Sequence, residues 1–259
     1  MMYIDIDRLN EILPNLKEDF QNKEPFKYTI IENFLSSEIS EQVHAAYPEV
    51  DGGNWDGTTY INQKNKFQKR TFDPGSLLDS ICKEFNSIDF LSWLQALTGI
   101  KEELVGDEEF FGGGLHQSIN GAFLNIHVDY NFHPKTQLHR RLNAILYMNK
   151  EWKDEYEGHL ELWDLAEGRS EMLEKISPSF NKMVIFETNE ISFHGHPTPL
   201  QIPKEVSRKS LAFYYYTQTR GDIVAASDHN TIYFNTQGFR GQLRKLISGI
   251  KAFKERLNK

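Results

Sequence analysis

Six short runs rich in β-branched and aromatic residues follow one another in the second half of the chain, and they constrain its fold more than any other feature. Gly, Pro, Asn and charged residues separate these runs, which lie at 123–128, 142–148, 159–163, 183–187, 191–194 and 211–217. Short strands at such spacing, broken by turn residues, are typical of an antiparallel sandwich or jelly roll. The sequence therefore predicts a mainly β core with flanking helices.

The first part of the chain shows a mixed pattern with more helical character. Apolar residues at helical spacing, N-capping serines and helix-ending Pro and Gly residues predict a strand at 27–33 and helices at 5–20, 36–47, 75–86 and 88–98. The polar stretch 51–73 between them is predicted to be a long loop or an irregular hairpin. We expect this mixed region, 1–110, to support the β core.

The last part of the chain carries a basic amphipathic pattern. Apolar residues lie on one stripe over 238–257 and predict a helix that packs on the domain. We therefore expect 1–259 to form a single domain, with a support region at 1–110, a β core at 111–217 and a helical extension at 218–259.

Composition excludes several classes of partner. The chain has 29 Lys+Arg against 37 Asp+Glu and a net charge of −8, which argues against nucleic-acid binding. One cysteine, Cys82, rules out an intrachain disulfide and favours a cytoplasmic location. No apolar run approaches the ~20 residues of a membrane span. A small molecule or a peptide is the partner that we expect, as a substrate.

His127 and Asp129 lie two residues apart at the end of the predicted strand 123–128. Since alternate side chains of a strand share a face, both can reach one ion. A distant histidine from the His194-Gly-His196 run would complete two imidazoles and one carboxylate. That donor set suits Fe(II) with open coordination positions. The residues alone leave open whether His194 or His196 is the third ligand.

A second His-x-acid pair, His159 and Glu161, is the rival metal pair in this chain. We favour the first pair because a pocket for a carboxylate is predicted beside it. Alternation places several residues on one face of the strand at 141–149, and two more on one face of a later strand: Arg141, Asn143, Ile145 and Tyr147, then Arg208 and Ser210. A buried tyrosine and an arginine fork can together hold a carboxylate.

These motifs resemble those of the 2-oxoglutarate and Fe(II)-dependent dioxygenases of the prolyl 4-hydroxylase type. The resemblance covers about 27–217 and is strongest over 112–217, in the runs NIHVDYN, RLNAILYMNKEW, EGHLELWD, SFHGHPTPL and SRKSLAFYYYT. It implies a double-stranded β-helix core of the jelly-roll, cupin-like type, with helices packed on one side.

The resemblance also implies residue roles. The residues His127, Asp129 and His194 match the iron ligands of the family. Arg208 matches the residue that binds the distal carboxylate of 2-oxoglutarate, and Tyr147 matches a tyrosine that assists it. Ser210 matches the serine of the Arg-x-Ser pattern, and we add Asn143 to the co-substrate site. The gap between His194 and Arg208 is slightly long beside many relatives, which keeps His196 an alternative ligand.

The activity that the resemblance implies is hydroxylation at a C–H bond with O2, Fe(II) and 2-oxoglutarate, releasing succinate and CO2, with ascorbate as an accessory reductant. Halogenating relatives lack the carboxylate that Asp129 supplies, which favours hydroxylation. A prolyl residue, a free amino acid or another small metabolite is the expected substrate. The alternatives are a non-catalytic cupin-like metal-binding protein and a zinc hydrolase, since zinc accepts the same donors. Neither alternative needs the carboxylate clamp.

The segment 51–73 precedes the predicted core in the position where relatives carry a substrate-covering segment. We therefore predict that it forms a wall or lid of the active-site mouth, because long polar loops in compact domains often serve function. Trp55 and Tyr60 are expected to contact substrate. A set of basic residues is expected to attract an acidic group on it: Lys64, Lys66, Lys69 or Arg70.

Overall fold

The computed structural model describes residues 2–50, 55–60, 62–165, 169–221 and 228–234. The helix predicted at 238–257, and with it most of the expected extension, lies outside the described residues, as does the side chain of Tyr60. No helix among the described residues is long and apolar enough to cross a membrane.

The described strands form one antiparallel sheet that curls into a half-barrel. They are β1 (Tyr28–Ile31), β2 (Asp56–Tyr60), β3 (Gln63–Lys69), β4 (Gly114–Val128), β5 (His139–Tyr147), β6 (Leu160–Asp164), β7 (Glu171–Ile176), β8 (Lys182–Glu187), β9 (Phe193–His196), β10 (Arg208–Thr217) and β11 (Ile232–Tyr233). The main path runs β1-β8-β5-β10-β4-β9-β6-β7. This confirms the mainly β, jelly-roll prediction.

Strand β4 joins the two parts of the curled sheet because it is long enough to pair with both. Its first residues pair with β10, from Ser118 opposite Arg208 to Gly114 opposite Ala212. Its last residues pair with β9, where His127 lies opposite His194. Strands β3 and β11 also pair with β4. The bend of one strand thus brings residues from distant runs to one concave surface.

The four helices predicted within 1–110 are confirmed, as α1 (Ile6–Asn22), α2 (Ser37–Ala45), α3 (Leu77–Glu84) and α4 (Ile88–Thr98). Each begins at a side chain that accepts a hydrogen bond from the backbone N–H three residues later: Asp5, Ser36, Ser76 and Ser87. Such caps satisfy N–H groups that a helix start leaves without partners. Helix α4 ends at Gly99, which takes the left-handed conformation with φ 73°.

The helices pack against the outer face of the sheet and form the main core with it. Alternate residues of β5 and β10 point to the helices and are fully or almost fully buried: Leu142, Ala144, Leu146, Leu211, Phe213 and Tyr215. Phe85, which follows α3, stacks on Phe213 with ring centroids 4.0 Å apart. The intervening residues of the same strands point to the concave face, so the helices stabilise the wall on which the candidate site lies.

Two strands of the main path differ from the sequence prediction, and the segment 51–73 takes one of its two predicted forms. Strand β4 begins at Gly114, well before the predicted 123–128, and β7 (Glu171–Ile176) was not predicted. Within 51–73 the chain forms β2 and β3, a hairpin attached to β4, which corresponds to the irregular-hairpin alternative. All three are strands with polar residues, and their stability comes from pairing with neighbours that sequence periodicity does not show.

Candidate metal centre

The end of β4 and strand β9 bring two histidines and one aspartate together. Ligand atoms of His127, Asp129 and His194 all lie within 4.8 Å of one another, the one such group of metal-ligating residues among the described part of the chain. The Nε2 atoms of His127 and His194 each lie 3.4 Å from a carboxylate oxygen of Asp129. Two imidazoles and one carboxylate are the donor set of non-haem Fe(II) oxygenases, so these residues fit that metal.

Backbone carbonyls orient both imidazoles for metal binding. Nδ1 of His127 donates to the carbonyl of Asn125 at 2.8 Å, and Nδ1 of His194 donates to the carbonyl of Ser192 at 2.9 Å. A carbonyl only accepts, so Nδ1 carries the proton in each ring and Nε2 offers its lone pair. Burial and then the neighbouring His127 lower the pKa of His194 to about 4, which keeps that ring neutral at physiological pH.

Gly195 separates the two histidines of β9 and lets the strand approach β4 closely. A Cβ atom at this position would lie 2.8 Å from the carbonyl oxygen of Leu124 and 2.9 Å from that of Asn125, closer than real Cβ contacts. The His-Gly-His pattern therefore has a packing reason. The glycine allows His194 to reach its place opposite His127.

Asp129 is surrounded by positive and hydrogen-bond-donating groups. Nη2 of Arg140 lies 3.0 Å from Oδ2 of Asp129, and Nδ2 of Asn143 donates to the same oxygen at 2.8 Å. Burial alone would raise the pKa of the Asp129 carboxyl, but Arg140 and the two imidazoles outweigh it and hold that pKa well below its usual range. The carboxylate is therefore ionised at neutral pH.

Arg208 and Tyr147 lie at another part of the same concave face. Nε of Arg208 donates to the carbonyl of Gly158 at 2.7 Å, and Nη2 donates to the hydroxyl of Tyr147 at 3.3 Å. Tyr147 pairs with Ser210 in register across β5 and β10. Because its hydroxyl accepts from Arg208, Tyr147 keeps its own proton for a ligand. Burial raises the pKa of Tyr147, so that proton stays in place.

A cavity of about 230 Å³ connects the metal donors with this clamp. Its described lining includes three cations and one carboxylate: Lys66, Arg140, Arg208 and Asp129. Burial lowers the pKa of Lys66 to about 8, at which most of it is still charged at pH 7. The balance of charge therefore favours an anionic ligand.

The other candidate metal ligands from the sequence lie outside this three-residue group. His196 lines the cavity but is not in the three-residue group, and its buried Nδ1 has no hydrogen-bond partner among the described residues. His159 pairs with Asp154 at 3.3 Å, and Glu161 accepts from the indole of Trp163 at 2.8 Å. Leu160 between them points into the cavity, so the rival pair points away from it.

The sequence interpretation placed the wrong arginine of β5 on the cavity face. A bulge leaves Arg140 opposite Tyr216 and Leu142 opposite Tyr215, so alternation is interrupted at Arg141. Arg140 therefore lines the cavity, whereas Arg141 pairs with Glu102 at 3.2 Å on the other side. The Arg140-Arg141 dipeptide indicates that an arginine can line the cavity, but the bulge decides which of the two does so.

Asn143 was expected to bind co-substrate, and the structure places it beside the metal donors. Its Oδ1 accepts from Nε and Nη2 of Arg140 at 3.1 and 2.7 Å, while its Nδ2 donates to Asp129. The amide is thus engaged with both charged neighbours. A direct role of Asn143 toward a co-substrate stays a prediction.

The hairpin β2–β3 forms one wall of the cavity, through Gln63, Lys66 and Gln68. Trp55 does not line this cavity, because it stacks near Tyr47 and its indole donates to the carbonyl of Glu49 at 3.0 Å. Its contact with substrate stays a prediction. Trp55 instead lines a second cleft with Lys69, Arg70 and other residues. Successive residues of β3 point to opposite faces, so Gln68 and Lys69 belong to different clefts.

A short segment, 228–234, closes the rim of the cavity beside the metal donors, and we call it the strap. Its β11 pairs with the end of β4, where Tyr233 lies opposite His127 with ring centroids 5.4 Å apart. Thr231 and Tyr233 line the cavity. His229, at the start of the strap, lies 2.7 Å from Glu190. Sequence analysis missed the strap because its two-residue strand has no periodic pattern.

Comparison with known proteins gives a match over the β core. Residues 113–216 match the model of a family described as the 2OG-Fe(II) oxygenase superfamily. The mouse protein named prolyl 3-hydroxylase OGFOD1 is 26% identical over 196 residues, which make up 74% of this chain and 33% of the mouse protein. The chain thus spans about a third of the length of that curated relative.

Solved structures share the fold. A prolyl-4-hydroxylase of Pseudomonas putida superposes with a TM-score of 0.55 at 18% identity, covering 79% of this chain and 100% of the other. A Trichoplax adhaerens prolyl hydroxylase, in complex with a peptide fragment of hypoxia inducible factor, gives 0.55 at 18% identity over 82% and 90%. HygX of Streptomyces hygroscopicus, with nickel and 2-oxoglutarate bound, gives 0.52 at 12% identity over 83% and 96%.

Proposed function

We propose that this chain, whose residues 113–216 match the model of the 2OG-Fe(II) oxygenase superfamily, hydroxylates a C–H bond with O2, using Fe(II) and 2-oxoglutarate and releasing succinate and CO2. One observation carries this proposal. The group of His127, Asp129 and His194 opens into the same cavity as the Arg208 clamp, and that cavity has an excess of positive charge. A metal-binding protein without turnover, or a zinc hydrolase, would have no use for the clamp.

The three donors would hold Fe(II), and the bound iron and 2-oxoglutarate would supply the oxidative chemistry. His127 and His194 contribute their Nε2 atoms, because Nδ1 of each ring donates to a backbone carbonyl. Asp129 contributes the single negative charge. The lowered pKa values of His194 and Asp129 let a metal bind at these two donors with little competition from protons.

The clamp would bind and orient the co-substrate. In the described part of the chain, Arg208 uses two of its five N–H groups, on Gly158 and Tyr147, which leaves the others for a carboxylate. Tyr147 adds a hydroxyl donor, and Ser210 lies next to it in register. Burial of Arg208 makes this pairing stronger than it would be in water.

The walls of the cavity would exclude water. Lys66 and its neighbours on β3 cover one side, and the strap covers the rim next to His127. Water exclusion strengthens each charged contact inside the cavity. It also favours reaction with a bound substrate over side reactions.

We propose that the substrate is a prolyl residue in a peptide. The support is the mouse relative, which is named a prolyl 3-hydroxylase and matches most of this chain. Free amino acids and other small metabolites are the competing outcomes of the test. A cytoplasmic location and a contribution from ascorbate stay predictions.

The first experiment asks whether 2-oxoglutarate chelates the bound metal. The anaerobic Fe(II) protein is titrated with 2-oxoglutarate, and a visible charge-transfer band is expected. Asp129→Asn should lose the band, whereas Asp154→Asn, which changes an exposed carboxylate paired with His159, should retain it. Absence of the band in the unchanged protein would contradict the proposal and leave the alternative classes.

The second experiment identifies the substrate. Succinate formation is measured with prolyl peptides, free proline and a metabolite mixture, each against the basal rate. A prolyl peptide is expected to stimulate succinate formation in proportion to a mass gain of one oxygen on the proline. Stimulation by free amino acids alone would reject the peptide proposal while retaining the oxygenase.

A further inference from the structure

Arg140 is a cation that the concave face holds in one fixed orientation. Arg140 lies at the start of β5 and is 1% exposed. The guanidinium carbon lies 3.6 Å from the ring centre of Tyr214 and 4.5 Å from that of Tyr130. Two aromatic rings stabilise a buried guanidinium and restrict its rotation. A side chain fixed in this way can direct its N–H groups with little loss of entropy.

The N–H groups of Arg140 and Asn143 converge on one oxygen of Asp129. Oδ2 receives Nη2 of Arg140 at 3.0 Å and Nδ2 of Asn143 at 2.8 Å. Arg140 also donates from Nε and Nη2 to Oδ1 of Asn143, which holds the amide in that orientation. Each carboxylate oxygen has two acceptor sites, so Oδ2 is saturated by these two donors.

Each oxygen of Asp129 lies near one metal-donating imidazole: Oδ1 is 3.4 Å from Nε2 of His127, and Oδ2 is 3.4 Å from Nε2 of His194. Only Oδ2 is also in contact with Arg140 and Asn143. An oxygen that already accepts two charge-assisted or amide hydrogen bonds has little electron density left for a metal. The two oxygens of this carboxylate therefore differ in what they can bind.

Resting on the proposed metal site, we propose that Arg140 is a positioning residue that makes Asp129 a one-oxygen ligand. With Asn143 it occupies Oδ2, so that only Oδ1 binds the metal. A carboxylate bound through both oxygens would take one more coordination position, which a chelating co-substrate and O2 need. Arg140 thus preserves open positions on the metal.

The test counts water on bound Mn(II), an ion that prefers six oxygen or nitrogen ligands, and needs no 2-oxoglutarate. Three protein bonds leave three positions for water, whereas four leave two. Water-proton relaxation of the Mn(II)-loaded protein should therefore fall by about one third in Arg140→Gln. Mn(II) affinity is expected to stay equal or to rise, since the carboxylate gains a bond.

Two further variants keep the test decisive if Arg140→Gln fails to fold. Asn143→Ala leaves Arg140 between its rings and removes the other donor to Oδ2, so it should lower the relaxation in the same direction. Arg140→Lys keeps the charge without the fork and should fall between the unchanged protein and Arg140→Gln. The matched control is Arg141→Gln, because Arg141 is an adjacent buried arginine that pairs with Glu102 instead.

A general structural role for Arg140 would give another pattern. Thermal stability and Mn(II) affinity would then fall together, while the water count of the remaining Mn(II) complex would stay unchanged. That result, or unchanged relaxation in both Arg140→Gln and Asn143→Ala, would overturn the proposal. A missing 2-oxoglutarate band in the unchanged protein would reject the proposed function alone, because the water count does not depend on that band.

Discussion

Strands β5 and β10 present two faces that differ in almost every property. Toward the helices they carry Leu, Ala, Phe and Tyr residues in a close-packed core, where Phe213 stacks on Phe85 at 4.0 Å. Toward the cavity the same strands carry buried polar and charged residues: Arg140, Asn143, Tyr147, Arg208 and Ser210.

The difference teaches how this fold separates stability from binding. Buried apolar area stabilises the outer face, at about 25 cal/mol per Å². Buried cations on the inner face cost free energy unless anions pair with them, so they prepare the cavity for a ligand at the expense of stability. A substitution on one face should therefore change stability, and one on the other should change binding.

The largest expected effect is at Asp129. Asp129→Asn should abolish turnover and iron binding, because an amide supplies no negative charge to the metal. Both variants leave the Arg140 cation without an anion, but Asn keeps an oxygen that can accept from Arg140, so the thermal midpoint should fall less in Asp129→Asn than in Asp129→Ala. Iron content, succinate release and thermal unfolding measure these quantities. Normal turnover in Asp129→Asn would remove the metal assignment.

Phe213→Ala tests the outer face. Removing a buried phenyl ring should lower the free energy of unfolding by about 3–5 kcal/mol. The concentration of 2-oxoglutarate that half-saturates the folded fraction should stay unchanged, since Phe213 points away from the cavity. Urea unfolding and ligand titration measure the two quantities. A large change in 2-oxoglutarate affinity would show that the two faces are coupled.

Arg208→Ala tests the clamp on the inner face. Loss of a charged partner in a desolvated pair costs about 2–5 kcal/mol, so the requirement for 2-oxoglutarate should rise about 30-fold or more. Arg208→Lys should recover only part of the affinity, because lysine lacks the planar fork. Iron affinity should stay near that of the unchanged protein. An unchanged 2-oxoglutarate requirement in Arg208→Ala would reject the clamp.

The two histidines of β9 allow a comparison within the inner face. His194→Ala should be inactive, because its Nε2 belongs to the three-donor group. His196→Ala should only be impaired, since His196 lines the cavity beside that group. Iron content of the purified variants decides between them. The reverse order of effects would move the metal ligand to His196.

The smallest expected effect concerns the strap at the rim of the inner face. Burial alone would lower the pKa of His229, but the carboxylate of Glu190, with a weaker contribution from Asp129, raises that pKa above its ordinary value. Arg220 is the cation near Glu190. A raised folded-state pKa means that the pair stabilises the strap fully below about pH 6.5 and loses its effect as pH rises through the higher value.

Hydrogen exchange at 228–234 should therefore lose protection between pH 6 and pH 8, beyond the intrinsic change in exchange rate. The effect should be about 1 kcal/mol or less, because the pair is partly exposed to solvent. His229→Gln should remove the pH dependence, and His159→Gln, at another partly exposed histidine–carboxylate pair, should retain it. Equal protection across this range in the unchanged protein would contradict the proposed link between the pair and the strap.

The periodic patterns were sufficient to predict most elements. The cap at Ser36 marked one helix start, and the runs of β-branched and aromatic residues gave the mainly β core. Strand β7 was not predicted, and the hairpin β2–β3 was predicted only as an alternative to a loop, because pairing with neighbours stabilises these polar strands more than their own side-chain pattern does.

The sequence by itself determined which donor types are available and which of them share a strand face. His127 and Asp129 are two residues apart, and residues at that spacing share one face in any regular strand. Tertiary structure decided the rest. Pairing of β4 with β9 placed His194 beside His127 and Asp129, and a bulge turned Arg140 into the cavity in place of Arg141. Register and bulges depend on contacts between distant segments, and local sequence periodicity does not predict those contacts.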